Sequence, residues 1–344
     1  MLKYISMQLS ETQFKWNICG HQNIIEFLKS SIDKDKIGQS YLFHGMNGLG
    51  KYATAKQFAK AVLCSNKKDL PCGNCFSCKQ AEKGTHFDLF EIKREIDEKS
   101  GKLKKDVSID QIRSLISRIQ QGSLLGGYKI AIVNDAQFLN VNSANTLLKT
   151  LEEPSLKTVI ILVTDEVSKI PKTVASRCQT IKFLPVSSNN IHNYLLKREL
   201  EPEKAKYFSR IACGIPGKAL RLLDSSESLE NYQNNIKSFF KIIRSPLYER
   251  LMGIREFFFA VEDRENFVNL LNNFSSVARD AMLSINFNEK LIANYGIIGQ
   301  ELESDRNMEF KKIELLMSRI NEAKKNLNSN INSKSILENI IINL

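Results

Sequence analysis

Short apolar runs alternate with segments of helical periodicity through the first half of the chain. The apolar runs predict strands over residues 41–43, 88–92, 130–133, 158–163 and 179–183. Helical spacing of apolar positions predicts helices over residues 22–37, 51–63, 108–120 and 142–153, and a short helix begins at Pro171. Strands that alternate with helices at this spacing are typical of a parallel sheet, whose ligands bind beyond the carboxyl ends of the strands.

The pattern changes beyond residue 185. Helical segments over residues 191–207 and 218–223 are joined by a turn at 214–217, and a cluster of serines predicts a linker near Ser225. From residue 231 onward only helical runs follow. We therefore predict an α/β domain with a parallel sheet over residues 1–185, a small helical lid domain over 186–226 and an all-α domain over 227–344.

One glycine-rich stretch carries the clearest chemistry. GMNGLGK at residues 45–51 fits G-x-x-x-x-G-K and lies between a predicted strand and a predicted helix. In such a loop, backbone N–H groups and the N-terminal end of the helix bind phosphate oxygens, and the lysine reaches the outer phosphates. This predicts a nucleotide-binding (P-loop) site that contains Gly45, Gly48, Gly50 and Lys51.

The residues around this loop depart from what ATP hydrolysis needs. Tyr52 stands where a small hydroxyl should bind Mg²⁺, and its oxygen lies too far along the ring to take that place. Counted from the end of the strand 130–133, Asn134 and Asp135 take the places of a metal-binding Asp and a water-activating Glu. With the register shifted by one, Asp135 is the metal carboxylate and Ala136 leaves no base. Either register removes a catalytic group, and Thr164 completes this degraded site at the end of the next strand.

Four of the seven cysteines fall within fifteen residues, at Cys64, Cys72, Cys75 and Cys78. In a reducing compartment clustered thiols of this spacing indicate a Cys₄ zinc site rather than disulfides. Four protein ligands close the coordination shell, so the predicted zinc ion is structural. We interpret the other three cysteines as reduced thiols without a metal.

Composition adds less to this picture. The 344 residues include 49 Lys and Arg against 38 Asp and Glu, a net charge of +11 that is consistent with a polyanionic partner such as DNA. The sequence contains no apolar run long enough for a membrane span and no signal-peptide pattern, so we expect a cytoplasmic protein. We interpret the charged stretch 93–106 as a solvated loop rather than a DNA-contacting one.

Several segments together resemble one family. GHQNIIEFLKSSI, the phosphate loop, the four-cysteine insertion, ANTLLKTLEEP and the SRC of residues 176–178 resemble bacterial DNA polymerase III clamp-loader subunits of the AAA+ class, over about residues 15–224. Within that family, Tyr52, the Asn134-Asp135 pair and Gly217 in GIPGKAL favour the delta-prime type over the ATP-hydrolysing gamma/tau motor. Gly217 takes the place of the arginine by which the motor senses nucleotide.

The resemblance implies a role without ATP turnover by this chain. Arg177 takes the place at which the family presents an arginine finger to ATP held by the neighbouring subunit. The implied partners are gamma/tau and delta in a five-membered ring, the sliding clamp, and primed DNA held through phosphate contacts at the bacterial nucleoid. ATP or ADP would be held without hydrolysis, if at all. Two alternatives stay open: a gamma/tau-type ATPase, and a zinc-containing DNA-binding regulator on an inert P-loop scaffold.

Overall fold

The structure, a computed structural model, describes residues 13–14, 16–66, 68–98, 101, 103–123, 125–155, 157–261, 264–285, 291–304, 310–326 and 332–342. They belong to two compact units, Met1–Ser187 and Ser188–Leu344. From residue 188 onward the residues predicted as lid and as all-α domain share the second unit, and the division between them at 226 stays a prediction.

A five-stranded parallel sheet forms the centre of the first unit. Its spatial order is β4 (Leu89–Ile92), β5 (Lys129–Val133), β6 (Thr158–Thr164), β2 (Ser40–His44) and β7 (Gln179–Lys182). Strands β5 and β6 are buried along their whole length, as apolar runs in a sheet covered on both faces should be. Two further strands, β1 (Gln13–Phe14) and β3 (Asp69–Leu70), pair in parallel outside this sheet and were not predicted.

The described part of the first unit also contains helices. They are α1 (Gln22–Asp33), α2 (Lys51–Leu63), α3 (Phe76–Lys83), α4 (Ile109–Gln120), α5 (Val141–Glu152) and α6 (Lys172–Ala175). Helix α4 begins with a capping box: the backbone amide of Gln111 donates to Ser108 Oγ at 3.2 Å, and the backbone amide of Ser108 donates to Gln111 Oε1 at 3.0 Å. Helix α1 ends four residues earlier than predicted.

The charged stretch 93–106 forms a short antiparallel pairing in its described part. Ile96 pairs with Leu103, and Lys104 Nζ lies 2.8 Å from Glu95 Oε2 on the exposed surface. Residues 99, 100 and 102 of this stretch lie outside the described residues.

The second unit is helical throughout its described part. Its helices are α7 (Ser188–Leu196), α8 (Pro202–Ile211), α9 (Pro216–Asp224), α10 (Ser226–Arg244), α11 (Leu247–Gly253), α12 (Arg264–Ile285), α13 (Tyr295–Ser304), α14 (Phe310–Asn326) and α15 (Ser333–Ile342), with a 3-10 segment at Ile254–Val261. No described helix is long and apolar enough to cross a membrane.

Two predictions for this unit were wrong in detail. The helix expected over residues 191–207 is two helices, because Pro202 starts a new one. The serine linker is a helix start: Ser225 Oγ accepts the Ser228 amide at 3.1 Å and caps α10.

A buried carboxylate organises one part of the second unit. Asp280 is fully buried on α12, and its two oxygens accept the backbone amides of Ala293 and Asn294 at 3.0 and 2.8 Å. The Asn294 side chain donates to Asp280 at 2.7 Å and accepts from the Tyr232 hydroxyl at 2.6 Å. Asp280 therefore fixes the start of α13 against α10 and α12.

Replacing Asp280 by alanine should lower the free energy of unfolding of this unit by about 3 kcal/mol, because two buried amides lose a charged acceptor. Glu314→Ala, an exposed carboxylate on α14, is the control and should cost at most about 0.5 kcal/mol. Urea unfolding followed by circular dichroism measures both. Equal losses in the two variants would contradict the structural role of Asp280.

Candidate nucleotide-binding and metal sites

The phosphate loop leaves the carboxyl end of β2, between β6 and β7. Gly45 has φ +145°, and a side chain there would collide with the carbonyl oxygen of Phe183. Gly50 caps α2 with φ +89°. The backbone of the loop therefore needs glycine where the motif has it.

Lys51 is held by three acceptors. Its ammonium donates at 2.7 Å to the carbonyl oxygens of Gly45 and Met46, and at 2.7 Å to Asp165 Oδ1. An ammonium has three N–H donors, so these contacts use all of them. The Lys51 side chain is 5% exposed, and Asp165 is its carboxylate partner.

Tyr52 points its hydroxyl at strand β4. The hydroxyl donates to Glu91 Oε2, and Lys56 Nζ lies 3.5 Å from Glu91 Oε1. Burial and the neighbouring Glu91 carboxylate raise the pKa of Tyr52 above its usual value. A neutral phenol bound to a carboxylate supplies no magnesium ligand in the place where the motif has a small hydroxyl.

Asn134 and Asp135 follow β5 as predicted, but their contacts lead away from Lys51. The backbone amide of Asn134 donates to the Ile92 carbonyl oxygen at 2.8 Å. Asp135 has φ +55°, and its Oδ2 lies 3.9 Å from Arg94 Nε. The Arg94 guanidinium in turn stacks over the Phe138 ring at 3.8 Å.

Thr164 lies at the end of β6, next to β2. It is 1% exposed, and its hydroxyl accepts the Glu166 amide at 3.2 Å. The Thr164 side chain therefore shapes the turn that places Asp165, the residue whose carboxylate reaches Lys51.

His21 contacts the backbone of the phosphate loop. One ring nitrogen, Nε2, lies 2.9 Å from the Leu49 carbonyl oxygen, and the ring packs edge-on against Phe183 at 4.8 Å. Burial lowers the pKa of His21. No local sequence pattern predicts this contact, because the two residues are 28 positions apart.

Arg177 is on the surface of the first unit. One guanidinium nitrogen lies 2.5 Å from Glu152 Oε1 at the end of α5, and another donates to the Thr173 carbonyl oxygen at 2.7 Å. The side chains of Arg177 and Glu152 are 36% and 48% exposed. Since exposed ion pairs contribute about 1 kcal/mol or less, Arg177 can change partner at low cost.

Gly217 lies in the first turn of α9. The next residue, Lys218, carries the nearest positive charge along the chain, and its ammonium lies 4.3 Å above the Tyr232 ring. Burial lowers the pKa of Lys218. Lys218 therefore packs within the helical unit.

The four clustered cysteines come together as predicted. The sulfurs of Cys64, Cys72, Cys75 and Cys78 all lie within 4.8 Å of one another, with 3.8 Å between Cys64 and Cys75 and 4.0 Å between Cys72 and Cys78. Sulfurs around a tetrahedral ion at 2.3 Å lie about 3.8 Å apart. The cluster therefore fits a metal ion such as zinc.

Backbone amides also point at these sulfurs. The amides of Cys72, Cys75 and Cys78 donate to the sulfurs of Cys64, Cys72 and Cys75 at 3.3–3.4 Å. Burial opposes ionisation of Cys75, but hydrogen bonds from the Cys78 amide and neighbouring groups outweigh it and lower the pKa of Cys75 to about 6. A thiolate is the form that binds metal.

The cluster sits in a small apolar core of its own. Ala61 and Leu70 are buried with the sulfurs, and Trp16 and Ile32 pack against them. The cysteine module thus joins the end of α2 to β3 and to the chain before α1.

Asp165, Glu91 and Glu152 contact candidate site residues, and the sequence analysis did not identify them. Asp165 follows a buried strand directly, which is the one signal that could have marked it. Glu91 and Glu152 lie in regular elements, and only the fold shows that they face Tyr52 and Arg177.

Comparison with known proteins matches residues 20–187 to the family described as DNA polymerase III, delta subunit. The chain is 28% identical to the DNA polymerase III subunit delta' of Bacillus subtilis over 93% of this chain and 95% of that protein. It is 35% identical to the subunit delta' of Pseudomonas aeruginosa over 53% of this chain and 55% of that protein.

The gamma and tau subunits are related as well. The chain is 30% identical to the DNA polymerase III subunit gamma of Buchnera aphidicola from Schizaphis graminum, over 76% of this chain and 71% of that protein. Together with the delta' matches, this shows that the chain belongs to the family of DNA polymerase III subunits that includes delta', gamma and tau.

Proposed function

We propose that this chain is a delta'-type clamp-loader subunit that does not hydrolyse ATP and instead supplies Arg177 to a neighbouring motor subunit. The observation that carries the proposal is the state of the loop: Lys51 has all three donors engaged, and Tyr52 is bound to Glu91. A loop that offers neither a free lysine nor a magnesium hydroxyl is poorly suited to turnover.

Catalysis in trans needs a charge that can reach outward. Arg177 is exposed and held by an exposed carboxylate, Glu152. A guanidinium is planar and always charged, so it suits the charge that develops on a transferring phosphoryl group. In the assembly Arg177 would leave Glu152 and turn to ATP bound by the adjacent subunit.

The partners in this proposal are gamma/tau and delta in a five-membered ring, with the helical unit holding the ring together. Relatives named gamma, tau and delta' support a complex of this kind. The ring would open the sliding clamp and place it on primed DNA in the cytoplasm, at the nucleoid. The net charge of +11 is consistent with phosphate contacts that do not read sequence.

A structural zinc ion is the second part of the proposal. Cys64, Cys72, Cys75 and Cys78 would bind it, and it would hold the cysteine module together, because the module's apolar core is small. With four thiolates around it the ion would have no open position for chemistry.

A gamma/tau-type motor is the alternative that one observation favours, since the loop keeps Gly45, Gly50 and Lys51. The two functions differ in turnover by the purified chain. We expect no ATP hydrolysis with magnesium, primed DNA and clamp present. Hydrolysis by the chain alone that disappears in Lys51→Ala would identify a motor.

Arg177→Ala should leave the complex with gamma/tau and delta assembled and slow its DNA-stimulated ATPase. At the motor site that faces Arg177, the rate should fall by about 10³-fold or more. Arg177→Lys should not restore it, because an ammonium lacks the planar fork of donors. Arg113→Ala, an exposed arginine on α4 that is 65% exposed, is the control. An unchanged ATPase in Arg177→Ala would remove the finger assignment.

Cys75→Ser should lower the zinc content from about one ion per chain and lower the temperature of thermal unfolding. Metal analysis by mass spectrometry and a thermal scan with and without chelator measure these effects. Cys213→Ala, which lies in the other unit, should keep its zinc. A wild-type chain without bound metal, unaffected by chelator, would contradict a structural zinc ion.

A further inference from the structure

The geometry points to Asp165 as an internal anion that takes the place of a bound phosphate at Lys51 and keeps the phosphate loop closed to nucleotides. The inference deepens the proposed function, since it names what regulates the chain's own loop, and it rests on that function only for the absence of turnover. It assigns to Asp165 a role in setting the affinity for phosphate-containing ligands.

All three N–H donors of the Lys51 ammonium are engaged. Two of its donors bind carbonyl oxygens of its own loop, at Gly45 and Met46, and the third binds Asp165 Oδ1, each at 2.7 Å. An ammonium that is 5% exposed has no further donor for a phosphate oxygen. A phosphate can therefore reach Lys51 only by displacing one of these acceptors.

The three acceptors of Lys51 differ in origin and in charge. The two carbonyl oxygens belong to the loop, whereas Asp165 directly follows strand β6 and lies 114 positions from Lys51 along the chain. It is also the only one of the three acceptors that carries a charge. Exchange of a carboxylate for a phosphate keeps an anion beside the buried ammonium, so Asp165 is the acceptor that a phosphate replaces.

The order of the strands places the Asp165 carboxylate next to Lys51. In the sheet, β2 and β6 are neighbours with His44 beside Thr164, so the next residues, Gly45 and Asp165, leave the same edge together. The Asp165 amide donates at 3.2 Å to Gln137 Oε1, and Gln137 is nine-tenths buried. The backbone of Asp165 is thus held at the loop from the β5 side, and the carboxylate needs no movement to reach Lys51.

Tyr52 limits what could bind once Asp165 is removed. Its hydroxyl is bound to Glu91 and offers no magnesium ligand at the loop. The ligand class is therefore the polyphosphate of a nucleoside triphosphate or inorganic tripolyphosphate, bound without a need for magnesium.

The test is the affinity of the purified full chain for tripolyphosphate by calorimetry, and for a fluorescent N-methylanthraniloyl ATP by titration, without magnesium. Asp165→Asn should bind both at least about tenfold more tightly than wild type, because the competing charge is gone. The double variant Lys51→Ala/Asp165→Asn should lose this gain. Equal affinities of Asp165→Asn and wild type would overturn the inference.

The matched control is Glu166→Gln. It removes the same charge one residue further along the chain, where the carboxylate pairs with Lys169 rather than Lys51. The inference expects near wild-type affinity in this variant, and an equal gain there would assign the effect to net charge and overturn the inference. Asp165→Ala is the second variant should Asp165→Asn fail to fold, with thermal unfolding as the check on both.

The outcomes separate this inference from the proposed function. Tighter binding by Asp165→Asn without ATP turnover supports both. Unchanged binding together with an Arg177-dependent ATPase of the complex overturns only the inference. Turnover by the wild-type chain overturns the proposed function.

Discussion

The burial of the Lys51 ammonium is the constraint on which the phosphate loop depends. A charge that is 5% exposed needs an opposite charge and a partner for each of its donors. In a working ATPase a nucleotide can provide both. Here the protein provides them itself, through two loop carbonyls and the Asp165 carboxylate. The glycines and the lysine of the motif can therefore persist as a well-packed structure whether or not a nucleotide binds.

Charged and polar side chains next to the loop are also paired within the chain. Tyr52 and Lys56 both face Glu91 on β4, and Asp135 faces Arg94. Tyr52 and Asp135, which take the places of a metal-binding hydroxyl and a catalytic carboxylate in the expected motif, therefore have structural partners in this chain. Arg177 differs, because both members of its ion pair are substantially exposed. The site thus combines paired groups around the loop with one more exposed arginine, which is the arrangement that the proposed catalysis in trans requires.

The sequence predicted the parallel sheet, the loop and the cysteine cluster because each has a strong local signal. Buried strands such as β5 and β6 are continuous apolar runs, the loop has fixed glycine spacing, and Cys72, Cys75 and Cys78 are three residues apart. Contacts between distant segments have no such signal. Asp165 reaches Lys51 across 114 positions and Glu91 reaches Tyr52 across 39, so their pairing follows from sheet order, which only the fold reveals. The two-residue strands β1 and β3 were missed because their length is below any periodic pattern.

The order of the strands explains why the missed residues matter. Because β6 lies between β2 and β5, the residue after β6 lies nearer to the phosphate loop than the residues after β5, which are one strand further away. Asn134 and Asp135 follow β5, one strand away from the loop, whereas the Asp165 carboxylate contacts Lys51 directly. The proposed loss of hydrolysis and the inferred closure of the loop would therefore be separate properties of this chain. The first would follow from residues 52, 134 and 135, and the second would follow from Asp165.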